Sequence, residues 1–236
     1  MTKFRHLILT RFNVLIPEYR DSAGAGWLEH RFDLFERFCL PCVRSQTSQN
    51  FDWLLFSRPD MPAGFRARLD AYSGWRNIRI VYLEGDFTQA AVRAAVAELA
   101  RGVSHLITTR LDNDDGICRT FVENIQARFT GQNLEFLNFT HGYILANGQA
   151  YTGRHMTNAF ISLVENADRP RTVYSGNHMR LHEQGPIRQI ETPPGWLQVI
   201  HSRNLVNEAW GKPASFEDLY SYFDIQPERP SPTKKS

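Results

Sequence analysis

The sequence predicts an α/β fold: a mostly parallel sheet flanked by helices in the first half, with mixed or antiparallel strands added in the second. Three observations carry this reading. Up to about residue 130, short apolar runs alternate with segments of helical periodicity, the order that closes into a parallel sheet covered on both faces. Beyond that point the apolar runs "LEFLNFT", "GYILA" and "QAYTG" are short and closely spaced, as antiparallel strands are. The 236 residues are 42% hydrophobic and 22% charged, which suits one core and one compact domain.

Residues 4–12 are the first strand, with Leu7, Ile8 and Leu9 as its buried run. The loop "DSAGAG" follows. Leu28, Phe32, Phe35, Phe38 and Cys39 then share one face of a helix that begins near Trp27 and that Pro41 kinks or ends. "FDWLLFS" (51–57) is the second strand and "RPDMPAG" its turn-rich exit. "FRARLDAYSGW" reads as a short helix, and "IRIVYLE" (78–84), alternating and β-branched, as the third strand. In "TQAAVRAAVAELARG", Thr88 is the N-cap of a helix and Gly102 its end. "SHLITTRLD" is the fourth strand and "ICRTFVENIQARF" the next helix. Asn147-Gly148 supplies a hairpin turn. The expected organisation is a single domain over 1–226, divided at about 130/131, with the polar, proline-rich 227–236 as a disordered tail.

Bulk properties exclude several classes. A formal charge of +2 gives no broad nucleic-acid-binding surface. No apolar stretch approaches the roughly 20 residues that cross a bilayer, and the start "MTKFRHLILTRFNV" lacks the apolar segment of a signal peptide. A cytoplasmic protein with reduced thiols is expected, so the sequon at Asn138 carries no meaning. Cys39 and Cys42 form "CLPC", a redox spacing, but late in a helix rather than at the N-terminus that lowers a thiol pKa. Buried structural cysteines are the expectation.

The chemistry concentrates in "ITTRLDNDDG". Asp112, Asp114 and Asp115 follow the fourth strand directly, at the end of a parallel sheet where ligands collect. Thr10-Arg11 ends the first strand as Thr109-Arg110 nears the end of the fourth, so Arg11 and Arg110 are placed at the same crevice, able to meet phosphate oxygens or the carboxylates. Three adjacent carboxylates repel, and a Mg²⁺ or Mn²⁺ ion with hard oxygen ligands relieves that repulsion and can bind a diphosphate. The alternative is a solvated acidic loop in which Asp115 caps the next helix. An EF-hand is rejected because its sixth position is Ile117 rather than Gly. A phosphatase of the haloacid-dehalogenase type is a distant alternative, since no Thr follows Gly116.

The segments "LTRFN", "WLEHRFDLFERFCLPCVRSQT", "FDWLLFSRPDMP", "ITTRLDNDDGI" and "GWLQVIHSRNLVN" occur in order from about residue 5 to 210. Together they resemble a bacterial rhamnosyltransferase family of GT-A fold, with Cys42 departing from a Ser expected at that place. The resemblance implies a nucleotide-binding half over 1–130 and an acceptor and metal-completing half over 131–226. It implies a metal-dependent transferase that moves a sugar, rhamnose by the family's name, from a nucleotide-diphosphate-sugar to a hydroxyl of a glycan or lipid-linked acceptor. Contact with a membrane surface is compatible with that role. The alternative in another class is a non-catalytic nucleotide-sugar-binding protein.

On that resemblance, Asp114 ligates Mn²⁺ or Mg²⁺, Asp112 contacts ribose or the metal shell, and His201 completes the metal site. Thr10, Arg11, Arg110 and Arg203 stand near the donor. An inverting reaction needs a base for the acceptor hydroxyl. The candidates are Glu165 and His178, with His141 behind them. Trp196, Tyr143 and Tyr151 could form a stacking surface for sugars but belong more naturally to a core.

Overall fold

The computed structural model describes residues 3–15, 25–176, 178–201 and 209–226, the side chains of Ala25 and His178 excepted. The expected tail 227–236 lies outside the described residues. A seven-stranded sheet forms the base. Strands β1 (Phe4–Asn13), β2 (Asp52–Ser57), β3 (Ile78–Tyr82) and β4 (His105–Arg110) are parallel neighbours in the order β4-β1-β2-β3.

The sheet continues beyond β4 with β9 (Ser162–Asn166), β6 (Glu135–Phe139) and β10 (Ile187–Ile190); β9 runs antiparallel to both its neighbours. A second sheet has the order β12 (Lys212–Ala214), β8 (Gln149–Arg154), β7 (His141–Ala146), β11 (Trp196–Ile200), β5 (Gly116–Ile117).

Central strands are buried on both faces, and the period of two sorts their side chains. Leu7, Leu9, Leu54 and Phe56 pack on one face with Val92 and Val96 of helix α4 (Gln89–Ala97). Ile8, Phe12, Trp53 and Leu55 pack on the other with Phe32, Phe35 and the second sheet's Ile144 and Leu197.

Helix α1 (Ala25–Leu34) continues through a π-helical turn, Phe35–Cys39, into α2 (Leu40–Arg44). Pro41 therefore neither ends nor breaks the helical run. Its missing N–H deprives the Arg37 carbonyl of a donor four residues on, and the wider turn accommodates the proline ring. Gln226 N–H donates to Arg37 O instead, at 2.9 Å.

Helices α3 (Ala63–Ala71) and α4 begin where the periodicity puts them, Thr88 capping α4 by accepting from Ala91 N–H at 3.2 Å, but α4 stops at Ala97, short of the end expected at Gly102. Asn147 and Gly148 turn the β7–β8 hairpin with φ of 51° and 71°, as a two-residue turn with both φ positive requires.

The helix expected over 117–129 is shorter. Residues 116–117 are strand β5, antiparallel to β11, and α5 covers Phe121–Gln126. Gly116 lies so close to the Cys42 thiol that a Cβ there would approach its Sγ at 2.9 Å. A local periodicity cannot register a strand partner some eighty residues away. Helix α6 (Phe216–Tyr222) is the last element among the described residues, with Arg119 donating to the carbonyls of Tyr220, Ser221 and Phe223.

Tyr143 and Trp196 are core residues. The Trp196 ring fills a notch that only a glycine at 142 leaves open, because a Cβ would meet it at 2.1 Å. Its indole N–H donates to Phe139 O at 3.0 Å. No helix among the described residues is long and apolar enough to cross a membrane.

Candidate functional site

From β1 the chain builds β2 and β3 on one side, then places β4 on the other, so the sheet order reverses between β1 and β4. In a sheet of this type the crevice beyond that switch is where a ligand binds. Leu9 of β1 stands opposite Arg110 of β4, which brings Arg11 and the 110–115 loop together there.

Asp112 is gripped from both sides. Arg11 Nη2 donates to Oδ1 at 3.0 Å and Arg110 Nη2 to Oδ2 at 2.7 Å. Both guanidiniums stack on the ring of Tyr174, at 5.7 and 5.8 Å from its centroid. Burial by itself would raise the Asp112 carboxyl; the two arginines outweigh it and hold the group far below the usual carboxylate range.

Asp114 faces a different set. Its Oδ2 accepts from Arg31 Nη1 at 2.8 Å and lies 3.0 Å from His201 Nε2. His30 Nε2 stands 3.4 Å from the other nitrogen of His201, with the two rings edge to face. Arg31 also donates to Asn113 Oδ1 at 2.9 Å, and Asn113 Nδ2 donates to Phe12 O at 3.3 Å, tying the loop to β1 and α1.

Asp115 is buried and does not cap a helix. Its Oδ1 accepts from Val199 N–H of β11 at 2.9 Å, two residues before His201. Burial, with Asp114 and Asp112 adding to it, pushes its carboxyl well above the usual range. The repulsion among three carboxylates is thus relieved from within the chain, by arginines on Asp112 and by Arg31 and His201 on Asp114.

Asp114 and His201 converge closely enough to share one cation, an oxygen and an imidazole nitrogen both being suitable donors. Among the described residues no group of three or more His, Cys, Asp and Glu side chains converges to hold a metal, so the rest of a shell would come from ligand and solvent. Asp112 suits a cation less well than Asp114, because two guanidiniums, one on each of its oxygens, already balance its charge and repel a further cation.

Other expected residues lie elsewhere. Thr10 points into the core, its hydroxyl accepting from Trp53 Nε1 at 2.9 Å, so it cannot touch a donor. Glu165 pairs with Leu106, near the start of β4 and at the opposite end of that strand from Asp112. Its carboxylate accepts from Arg171 N–H at 2.6 Å and Thr172 N–H at 2.8 Å, holding Thr172 at a φ of 63°. It is a loop anchor rather than a base in the crevice. His141 sits beside the start of β11, roughly 20 Å from His201 by strand rise, and contacts Glu191. His178 opens a 3₁₀ turn, His178–Glu183, and its side chain lies outside the described residues, as does Arg203.

His30, Arg31, Asn113 and Tyr174 belong to the site without having been expected in it. His30-Arg31 is a polar pair on a helix whose apolar face was read only for the core, and Tyr174 follows no motif. Cys39, Cys42 and Cys118 are buried and free; burial raises all three thiols, the reverse of redox activation.

The seven-stranded, mostly parallel sheet with a second, mixed sheet packed on it gives the chain a fold resembling that of GT-A nucleotide-sugar transferases. Two solved structures are similar: S. aureus TarS 1-349 in complex with UDP, at TM-score 0.51 and 10% identity, covering 84% of this chain and 61% of that one, and S. aureus TarS 1-349, at TM-score 0.50 and 11% identity, covering 84% and 60%. The chain therefore spans about three fifths of the length of those structures. Among curated proteins none matches. The chain belongs to the family described as "Putative rhamnosyl transferase", whose profile matches residues 9–213.

Proposed function

We propose that this protein is a metal-dependent glycosyltransferase, taking a sugar such as rhamnose from a nucleotide-diphosphate-sugar to a hydroxyl of a glycan or lipid-linked acceptor. The observation that carries the proposal is His201 Nε2 at 3.0 Å from Asp114 Oδ2, two groups 87 residues apart brought together at the sheet's switch point. Asp114 and His201 hold Mn²⁺ or Mg²⁺ in this reading, and the cation supplies charge stabilisation for the departing diphosphate. Asp112, fixed by Arg11 and Arg110, keeps lone pairs for ribose hydroxyls. Asp115 holds β11 in register with the loop and thereby sets where His201 stands. His178 is the remaining candidate for proton acceptor, with Glu165 withdrawn to the far end of its strand.

The reading places the protein in the cytoplasm, where nucleotide-sugars are made. A phosphatase reading finds no support in the loop, because the Asp-x-Asp pair follows the fourth strand and no Thr follows Gly116.

Thermal denaturation with UDP, GDP, dTDP and CMP, each with and without Mn²⁺, tests the proposal. One nucleotide at a hundredfold excess over its Kd stabilises the fold by about 2.7 kcal/mol, a rise of roughly 5–10 °C for a chain of this size. The rise requires Mn²⁺ and disappears in Asp114→Ala. No shift with any nucleotide would refute the donor site.

A further inference from the structure

Arg31 holds the same Asp114 oxygen that His201 approaches. Its Nη1 lies 2.8 Å from Asp114 Oδ2 and 2.9 Å from Asn113 Oδ1, and His201 Nε2 approaches the same Asp114 oxygen at 3.0 Å. One carboxylate oxygen thus meets a guanidinium and an imidazole at once. Arg31 is also braced by the Trp27 ring, 4.9 Å from its centroid. Its role differs from that of Arg11 and Arg110, which share Asp112 between them under Tyr174.

We infer that Arg31 stands in for the divalent cation on Asp114, so that metal alone binds weakly, and that the diphosphate of an incoming donor draws the guanidinium off the carboxylate and opens the site to metal. The inference rests on the proposed donor site and adds an order of binding to it. A bare cation shared between Asp114 Oδ2 and His201 Nε2 must first displace the charge-assisted hydrogen bond that Arg31 makes to that same oxygen. A diphosphate offers the guanidinium fork a geometry it matches in two bonds, which compensates the lost contact. Asn113 and Trp27 keep Arg31 beside the crevice during the exchange, so the guanidinium swings about a retained contact instead of leaving the site. The same side chain therefore opposes metal in the free protein and assists the anion in the complex.

These two roles have opposite signs, which a merely structural arginine does not produce. Binding of Mn²⁺ alone is measured by electron paramagnetic resonance of the free ion, for the parent, Arg31→Gln, Arg31→Met, Arg31→Lys and Asp114→Asn. Arg31→Gln and Arg31→Met, which remove the charge, bind Mn²⁺ about tenfold more tightly or better than the parent. Arg31→Lys, which keeps the charge, stays near the parent, and Asp114→Asn abolishes binding. Inorganic pyrophosphate without metal raises the melting temperature of Arg31→Gln less than that of the parent.

If Arg31→Gln and Arg31→Met bind Mn²⁺ no more tightly than the parent, while Asp114→Asn still abolishes Mn²⁺ binding in the presence of pyrophosphate, the stand-in role is overturned and the donor site survives. If Mn²⁺ binding is absent from every variant with and without pyrophosphate, or is unchanged by Asp114→Asn, the inference falls together with the reading beneath it.

Discussion

His6 makes the stability of this protein depend on pH in a way that can be isolated. The side chain is 1% exposed, between the sheet and α5, with Nε2 2.8 Å from Thr109 Oγ1 and Nδ1 3.4 Å from Gln126 Nε2. Thr109 Oγ1 is in turn 2.6 Å from Ser162 Oγ, linking β1, β4 and β9 beneath the strand that carries the acidic loop. Burial lowers the His6 pKa to about 3, against roughly 6.5 in the unfolded chain. The unfolded state therefore takes up a proton that the folded state refuses. The resulting penalty is absent above the unfolded value and grows as pH falls below it. Linkage gives a loss of about 2 kcal/mol at pH 5, rising to about 3 kcal/mol at pH 4.

His6→Gln keeps a neutral polar group toward Thr109 and removes the titration. Urea unfolding of both proteins at pH 7.5 and pH 5 reads the difference directly. The parent loses about 2 kcal/mol more than the variant over that interval. Asp115, Glu165 and His155, which are also shifted by burial, titrate in both proteins and cancel. Equal losses in parent and variant would show that His6 accepts a proton in the folded state and would refute the argument.

Three further outcomes follow from the geometry. Asp112→Asn leaves Arg11 and Arg110 facing each other without their shared anion, at a cost of about 2–4 kcal/mol near neutrality. Because the Asp112 carboxyl is held low, its stabilisation is complete above the unfolded pKa near 4 and is lost progressively as pH falls toward its folded value, so the gap between parent and variant narrows by about 1 kcal/mol by pH 3; unfolding curves from pH 7 to 3 check this. Gly142→Ala forces a methyl against the Trp196 ring and carbonyl and is expected to cost about 1–3 kcal/mol, seen as a lower urea midpoint. Arg119→Ala frees the carbonyls of 220, 221 and 223, and chymotrypsin is expected to cut at Tyr220, Tyr222 or Phe223 well before it cuts the parent.

The site was legible in the sequence wherever strand ends declared it. Thr-Arg at the close of one apolar run and Asp-Asn-Asp-Asp after another put Arg11, Arg110, Asp112 and Asp114 in one crevice, and the parallel register of β1 and β4 has that effect. His201 was legible for the same reason, standing just after the apolar run of β11. Thr10 lies apart from the crevice because strand alternation turns it inward, onto Trp53, while its neighbour Arg11 turns to the crevice. Glu165 lies apart from it because β9 runs antiparallel, which sends the carboxyl end of that strand away from the site. Neither orientation nor direction is written in residue type.

By itself, then, the sequence determined the alternation of strands and helices, the parallel first half, the hairpin at Asn147-Gly148 and the acidic loop, because each rests on periodicity or on a residue's own backbone preference. Only the tertiary structure decided how the acidic residues are neutralised. Arg31 comes from a helix some eighty residues before Asp114, His201 from a strand some eighty-five after it, and Tyr174 from a loop beyond β9. Charges separated so far along a chain find one another only through the packing of the elements that carry them, and that packing is what turns three repelling carboxylates into three groups with separate partners.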